Sequence, residues 1–249
     1  MSRNGRPVAL VTGASGGIGA AVARRLAKDG ADLIVHYGSS RERAEETASA
    51  CLLAGSARAE AVRADLRSGG DLEALKAELE VRGLTPNVVV HCAGFTRYEL
   101  LQDTPEEAWD ELFQVHLKSA YRLARLFGPA MSWNRWGRIV HLSSVWGLVG
   151  AAGEVAYAAA KGGLNSFTKG LAKEMASAGV TVNAVAPGAV DTDMLSELGD
   201  DERRELIADI PLGRFAKPEE VAELVAFLAS DRAGYITGQV LALTGGWQA

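Results

Sequence analysis

Cysteine is scarce in this chain: Cys51 and Cys92 are the only two in 249 residues. One falls in a segment of helical period and the other in a strand-like run, so reduced thiols are expected rather than a disulfide framework. No apolar run approaches the roughly eighteen residues that a bilayer-crossing helix needs. The opening "MSRNGRPVALVTG" has no apolar stretch ahead of its first strand-like run, so no secretory leader is expected. Excess positive charge is missing too. Lys and Arg number 26 against 31 Asp and Glu, a formal charge of −5, which leaves no general field for nucleic acid or an anionic membrane. The four histidines, His36, His91, His116 and His141, lack His-x3-His or His-carboxylate spacing, so no metal site is expected. Repeats, low-complexity runs and linkers are absent as well. With 48% hydrophobic residues the chain can bury a large core, and one cytoplasmic domain over residues 1–249 is expected.

What is present is an alternation of short apolar runs with longer stretches of helical period. That pattern argues for βαβ units and a parallel sheet. Strands are expected at Val8–Thr12, Asp32–Tyr37, Ala59–Ala64, Asn87–His91, Gly137–Leu142, Thr181–Ala186 and Gln239–Leu243. Helices are expected near Gly17–Asp29, Arg41–Ala54, Asp71–Arg82, Pro105–Met131, Ala156–Ala178 and Pro218–Ser230. The fold class is α/β, a doubly wound seven-stranded parallel sheet of Rossmann type with helices on both faces. Residues 191–209 are polar, helical and weakly tied to the periodic pattern, and they are expected to form a lid.

The first unit, "VALVTGASGGIGAAVARRLAKDG", runs from a buried strand through glycines into a helix. Gly13, Gly17 and Gly19 permit a tight turn and close backbone approach, and the helix N-terminus then faces a pyrophosphate. Ser15 and Ile18 lie in the same turn. An acidic residue about twenty residues on selects NAD in such units. Here the second strand ends in Tyr37 and Gly38 without an acid at the strand end, and Arg41 and Arg43 follow in "SSRERAEE". Ser39 and Arg41 are therefore expected beside a 2′-phosphate, which favours NADPH and leaves NADH possible. Ser39 to Glu42 also reads as a capping box. Asp65, with Leu66 beside it, closes the third strand and is placed to meet the adenine amine.

"SSVWGLVGAAGEVAYAAAK" sets Ser144 thirteen residues before Tyr157 and Lys161 four residues after it. Four residues on a helix puts tyrosine and lysine on one face. With Thr12–Gly19, "RAD", "CAG" at Cys92–Gly94, "VNAVAPGAVDT" and "YITGQVLALTGG", these motifs resemble the short-chain dehydrogenase/reductase family along nearly the whole chain. The likeness is strongest to its 3-oxoacyl-[acyl-carrier-protein] reductase branch. The resemblance implies hydride transfer to a ketone, Ala93, Gly94, Pro187, Gly188, Val190 and Thr192 along the cofactor, Lys161 on the nicotinamide ribose, and a homotetramer.

Carbonyl reduction needs a proton donor for the oxygen, and a free tyrosine with pKa about 10 is a reluctant one near neutrality. A lysine charge at about 4 Å favours phenolate by about 4 kcal/mol at an effective dielectric of about 20, so Tyr157 is expected to titrate near 7. Ser144 is placed to hydrogen-bond the same oxygen.

Two departures from the family pattern stand out. His91-Cys92-Ala93-Gly94 replaces Asn-Asn-Ala-Gly, and His116 in "QVHLKSAY" stands where the family has an asparagine that completes a catalytic tetrad. A histidine there offers donors and acceptors for a proton relay and titrates near neutrality. On the substrate side, Trp146 is a candidate pocket wall and Glu154 a candidate partner for a cationic ketone. This set is similar to that of the elongation factor P 5-aminopentanone reductases. Arg135 and Lys173 match basic positions that in the reductase branch meet the acidic acyl carrier protein, and elongation factor P is acidic too. A catalytically silent dinucleotide-binding regulator is the remaining reading, which the intact Ser144, Tyr157 and Lys161 set disfavours.

Overall fold

The computed structural model describes residues 6–195 and 199–248. Residues 196–198 of the expected lid lie outside the described residues. The elements run β1 (Val8–Thr12), α1 (Gly17–Lys28), β2 (Asp32–Tyr37), α2 (Arg41–Ala54), β3 (Ala59–Arg63), α3 (Gly69–Val81) and β4 (Val88–His91). They continue through α4 (Glu106–Phe113), α5 (Ser119–Trp133), β5 (Gly137–Leu142), α6 (Trp146–Val149), α7 (Val155–Met175) and β6 (Val180–Pro187). The chain ends through α8 (Asp200–Asp209), α9 (Pro218–Ala229) and β7 (Val240–Leu243). Seven strands form one sheet in the order β3-β2-β1-β4-β5-β6-β7, all pairings parallel.

Central strands such as "VVVH" and "VTVNAVAP" are buried along their whole length, as expected when helices cover both faces. One face packs Val22, Ala44, Cys51, Val221 and Val225 from α1, α2 and α9. The other packs Leu72, Leu75, Leu123, Phe127 and Met175 from α3, α5 and α7. Strand order reverses between β1 and β4, so the connections from their C-terminal ends diverge and leave a crevice there. The helix expected over Pro105–Met131 is interrupted. Gln114–Lys118 forms a π-helical turn between α4 and α5, and it carries His116. No described helix is long and apolar enough to cross a membrane.

Both cysteines are free thiols, and burial raises their pKa values, that of Cys51 to about 11. The aromatic tail folds back on its own chain: Trp247 is buried against Trp146, with ring centroids 4.9 Å apart.

Candidate active site

The crevice has a glycine turn on one side. Gly13 adopts φ +64°, and a Cβ there would lie 2.7 Å from the Ala93 Cα, so β1 and the segment after β4 meet backbone to backbone. A Cβ on Gly19 would come within 2.2 Å of the Gly13 carbonyl oxygen. Thr12 stabilises this junction, because its hydroxyl accepts from the Cys92 and Ala93 N–H groups, each at 3.1 Å. The α1 N-cap is Gly16, with no side-chain cap and no acidic residue in the first turn, so the N–H groups there keep their capacity for an anion. The Thr192 methyl would contact a Cβ on Gly17 at 3.5 Å, which brings the end of the β6 connection onto the same turn. A hollow of about 480 Å³ lies against Ser15, Gly16, Gly17, Arg43, Thr192 and Asp193. These residues fit a dinucleotide: a close-packed turn, an uncapped helix start and a crevice at the strand ends.

Other expected cofactor residues are placed differently. Arg41 points to solvent and bonds Glu45 at 2.8 Å, while Arg43 reaches back to the Ser15 carbonyl oxygen at 2.9 Å. Ser39 is exposed, and the helix starts one residue later than a Ser39 capping box requires, with Ser40 at the N-cap and no side-chain bond. Tyr37 and Leu66 are buried in the two halves of the core. Both Asp65 carboxylate oxygens accept from the Arg67 guanidinium, which also holds Glu111. Ile18 packs against the core, Val190 is buried and bridges to Ala216, and Pro187 accepts from the Val145 N–H at 2.9 Å. Gly188 donates to the Leu243 carbonyl oxygen at 2.9 Å.

The opposite wall carries Ser144, Tyr157 and Lys161. Ser144 follows β5, and Tyr157 and Lys161 occupy successive turns at the start of α7. Gly147 makes this packing possible: a Cβ there would lie 2.8 Å from the Lys161 backbone, and Asn165 bonds the Gly147 carbonyl at 2.9 Å. All three are buried. The Lys161 ammonium donates to the Leu142 carbonyl oxygen at 2.6 Å and lies 5.5 Å from the centre of the Tyr157 ring.

Burial overrides the expected charge effect at Tyr157. Desolvation raises the phenol to about 12, against a lowering hydrogen bond from Ser144 and with Glu154 adding to the rise. The same burial lowers Lys161 to about 7. The expected titration near 7 therefore belongs to the lysine, and the phenol holds its proton, which is the form a proton donor requires.

His116 meets the Tyr157 ring edge-on, with centroids 5.2 Å apart. Its Nε2 donates to the Phe95 carbonyl oxygen at 2.8 Å, which leaves a buried Nδ1 with no hydrogen-bond partner. Burial, and then the Lys161 charge, hold it well below the usual histidine range. Titration near neutrality, expected from residue type, does not occur here. The imidazole is a neutral acceptor at pH 7. Gly94 makes room for it, since a Cβ on Gly94 would lie 2.3 Å from the His116 Cε1. Gly94→Ala is thus expected to overpack the site and destabilise by about 1–3 kcal/mol. Thermal melts check this, with recovery expected in a Gly94→Ala/His116→Asn double variant.

His91 is structural. Thr12 already accepts two N–H bonds, so its hydroxyl donates to His91 Nδ1 at 2.9 Å. His91 Nε2 then bonds the Val115 carbonyl at 3.1 Å, tying β1 and β4 to the π-helical turn. Among the described residues no group of three or more His, Cys, Asp or Glu is placed to hold a metal ion.

Glu154 sits at the N-cap of α7 and accepts a short hydrogen bond from the Thr96 hydroxyl. Trp146 packs against both Tyr157 and the Trp247 ring. Phe95 and Trp109 complete the apolar lining around Tyr157. Thr96, Phe95 and Trp109 escaped the assignment of site residues from sequence, and Arg43 was named there only beside Arg41. Each is brought in by tertiary contact, and no local spacing signals it.

Fold and site together define a short-chain oxidoreductase. A family model described as enoyl-(acyl carrier protein) reductase matches residues 13–248. The chain is 43% identical over 248 residues to the 3-oxoacyl-[acyl-carrier-protein] reductase FabG of Pseudomonas aeruginosa, covering 99% of this chain and 98% of the relative. It is 42% identical over 239 residues to the uncharacterized oxidoreductase YmfI of Bacillus subtilis, covering 96% and 98%. A crystal structure from Agrobacterium tumefaciens, assigned provisionally as a gluconate dehydrogenase, superposes with TM-score 0.93 at 30% identity, over 98% of this chain and 96% of that one. The chain belongs to the short-chain dehydrogenase/reductase family, whose members work with a nicotinamide dinucleotide.

Proposed function

We propose that this protein is an NADPH-dependent reductase of a carrier-bound 3-oxoacyl ketone. The observation that carries the reading is the convergence of Ser144, Tyr157 and Lys161 on one wall of a crevice whose other wall is a glycine cradle. A bound nicotinamide dinucleotide supplies the hydride. Tyr157 donates its proton to the carbonyl oxygen, and Ser144 holds that oxygen by a hydrogen bond as charge develops on it. Lys161, poised near neutrality, favours the tyrosinate left behind and passes on the replacement proton. His116 offers Nδ1 as a fixed acceptor beside this pair. The strand end after β2 has no acid to repel a 2′-phosphate, so NADPH is the preferred donor and NADH a weaker one.

The carrier is an acidic protein in this reading. Arg135 and Lys173 are both exposed, yet they lie at the start of β5 and toward the end of α7, away from the crevice edge. They therefore give no support to docking beside the site of the same chain.

A second reading is favoured by Glu154. Its carboxylate is close enough to raise the Tyr157 pKa, so a ketone bearing an ammonium group would find a partner there. The 5-aminopentanone carried on elongation factor P has that chemistry. Parallel turnover of an acetoacetyl thioester and an aminopentanone-modified protein separates the two. If the ammonium is read, Glu154→Gln loses about tenfold or more in kcat/KM on the amino ketone, roughly 1.4 kcal/mol, and leaves the thioester unchanged. Equal loss on both substrates would place Glu154 in support of Tyr157 alone.

A further inference from the structure

Two stretches of chain flank Tyr157, and three contacts lace them together. The Thr96 hydroxyl donates a short hydrogen bond to Glu154 Oε1. The Glu99 N–H donates to the Gly153 carbonyl oxygen at 2.8 Å. The Tyr98 ring covers Gly153, where an ideal Cβ would lie 2.6 Å from its Cε2, and Gly153 keeps φ +76°. One residue before Thr96, the Phe95 carbonyl oxygen accepts the His116 hydrogen bond and the Phe95 ring packs against Tyr157. The segment after β4 and the loop before α7 therefore form one wall beside the phenol.

Thr96 decides where the Glu154 charge stands. Glu154 is the N-cap residue of α7, yet its carboxylate caps no N–H group, and the first turn of that helix holds no acid. A carboxylate at such a place is drawn to the unpaired N–H groups of the helix start. Thr96 holds it away from them. No cation competes: among the described residues Glu154 has no ion-pair partner, and Arg97 on the facing segment turns to Glu99 at 3.8 Å. Oε1 is committed to Thr96, while Oε2 has no hydrogen-bond partner among the described residues. The held charge reaches Tyr157, whose pKa it raises. A glutamate without this anchor spreads over several rotamers, and a ligand that binds it must fix it first.

We propose that Thr96 is a positioning residue of the substrate pocket: its hydroxyl fixes the Glu154 carboxylate beside Tyr157, so that the pocket selects ketones carrying a cationic group. The proposal rests on the reductase reading, in the form where Glu154 meets the substrate. It assigns specificity to a threonine that acts through Glu154 and not on the reacting atoms.

A methyl ketone bearing a trimethylammonium group and its neutral tert-butyl isostere, given to the whole protein with NADPH, test it. The readout is the ratio of kcat/KM for the cationic ketone over the neutral one. Wild type is expected to favour the cation about tenfold or more. Thr96→Val keeps the shape and loses the hydroxyl. It should lower the ratio about three- to tenfold, the cost of immobilising one long side chain. The loss should fall on KM and not on kcat, since a remote charge contact is equal in ground and transition states. Thr96→Ser, which keeps the hydroxyl, should hold the wild-type ratio. Thr96→Val/Glu154→Gln should match Glu154→Gln alone, as two groups acting as one require. A threonine that only supports the fold would instead lower kcat on both ketones, gain nothing from serine and give additive losses. Any of those results overturns the proposal, as does an unchanged ratio in Thr96→Val. Wild type that reduces both ketones without preference removes Glu154 from substrate recognition, and Thr96 with it. An acetoacetyl thioester run in parallel separates the remaining failures. If it is reduced and neither probe ketone is, the proposal alone falls; if nothing is reduced, the reductase reading falls as well.

Discussion

Tyr157→Phe is expected to lower kcat/KM for ketone reduction by about 10²–10⁴-fold, the range that a positioned general acid contributes. The loss should fall on kcat, because the phenol acts on charge that develops only in the transition state, so KM and dinucleotide affinity stay close to wild type. The ring is buried against Leu112, Ala156 and Trp146, and phenylalanine keeps that packing. What it removes is the proton held at a pKa of about 12 and the hydrogen bond with Ser144. Steady-state NADPH oxidation, paired with nucleotide titration, separates the two quantities. A variant that keeps wild-type kcat would remove Tyr157 from the chemistry.

The second large effect is acid lability. All four histidines of the chain are buried. Burial lowers His36 to about 4, and burial with neighbouring positive charge lowers His91 and His141 to about 3. His116 is held well below the ordinary 6.5. In the unfolded chain each takes up a proton near pH 6.5, whereas in the folded chain His36, His91 and His141 resist until about pH 4 or lower, and His116 is shifted in the same direction. Through that window the unfolded state binds more protons, so stability falls as pH falls. His36, His91 and His141 each contribute about 1 kcal/mol between pH 6.5 and 5.5, about 3 kcal/mol together, and His116 adds in the same direction. That is a large part of the roughly 5–15 kcal/mol that holds a typical domain together. Urea unfolding at pH 7.5, 6.5 and 5.5 and constant ionic strength measures it. Replacing His141 with asparagine should remove about a quarter of the slope; stability that stays flat to pH 5.5 would refute the assignment.

The strands were legible because apolar runs such as "VVVH" and "GRIVHL" sit between glycines and polar helix starts. All seven expected strands formed, with ends shifted by a residue or so. Helical spacing puts Tyr157 and Lys161 on one face, but it was the resemblance along the whole chain that singled them out together with Ser144. Arg43 was not singled out over Arg41. The two are two residues apart, about 200° around a helix, so one faces solvent and the other the glycine turn. Which face wins depends on where α2 docks, and nothing local encodes that. The protonation of the site was misjudged for a different reason. Spacing sets how close Lys161 comes to Tyr157, but burial decides which of them keeps its proton. The low basicity of His116 and the room made by Gly94 have the same origin, a contact between the β4 end and the π-helical turn. The residue types in "QVHLKSAY" do not announce it.

The most direct test of the proposed reductase follows the hydride itself. Wild-type protein is incubated with an acetoacetyl thioester and NADPH deuterated at the reacting face of the nicotinamide, and the product is analysed by mass spectrometry. Deuterium on the carbinol carbon of a 3-hydroxyacyl product, lost in Tyr157→Phe while nucleotide binding persists, is the predicted result. Bound cofactor with no deuterium transferred to that ketone, or to the amino ketone in parallel, would contradict the account.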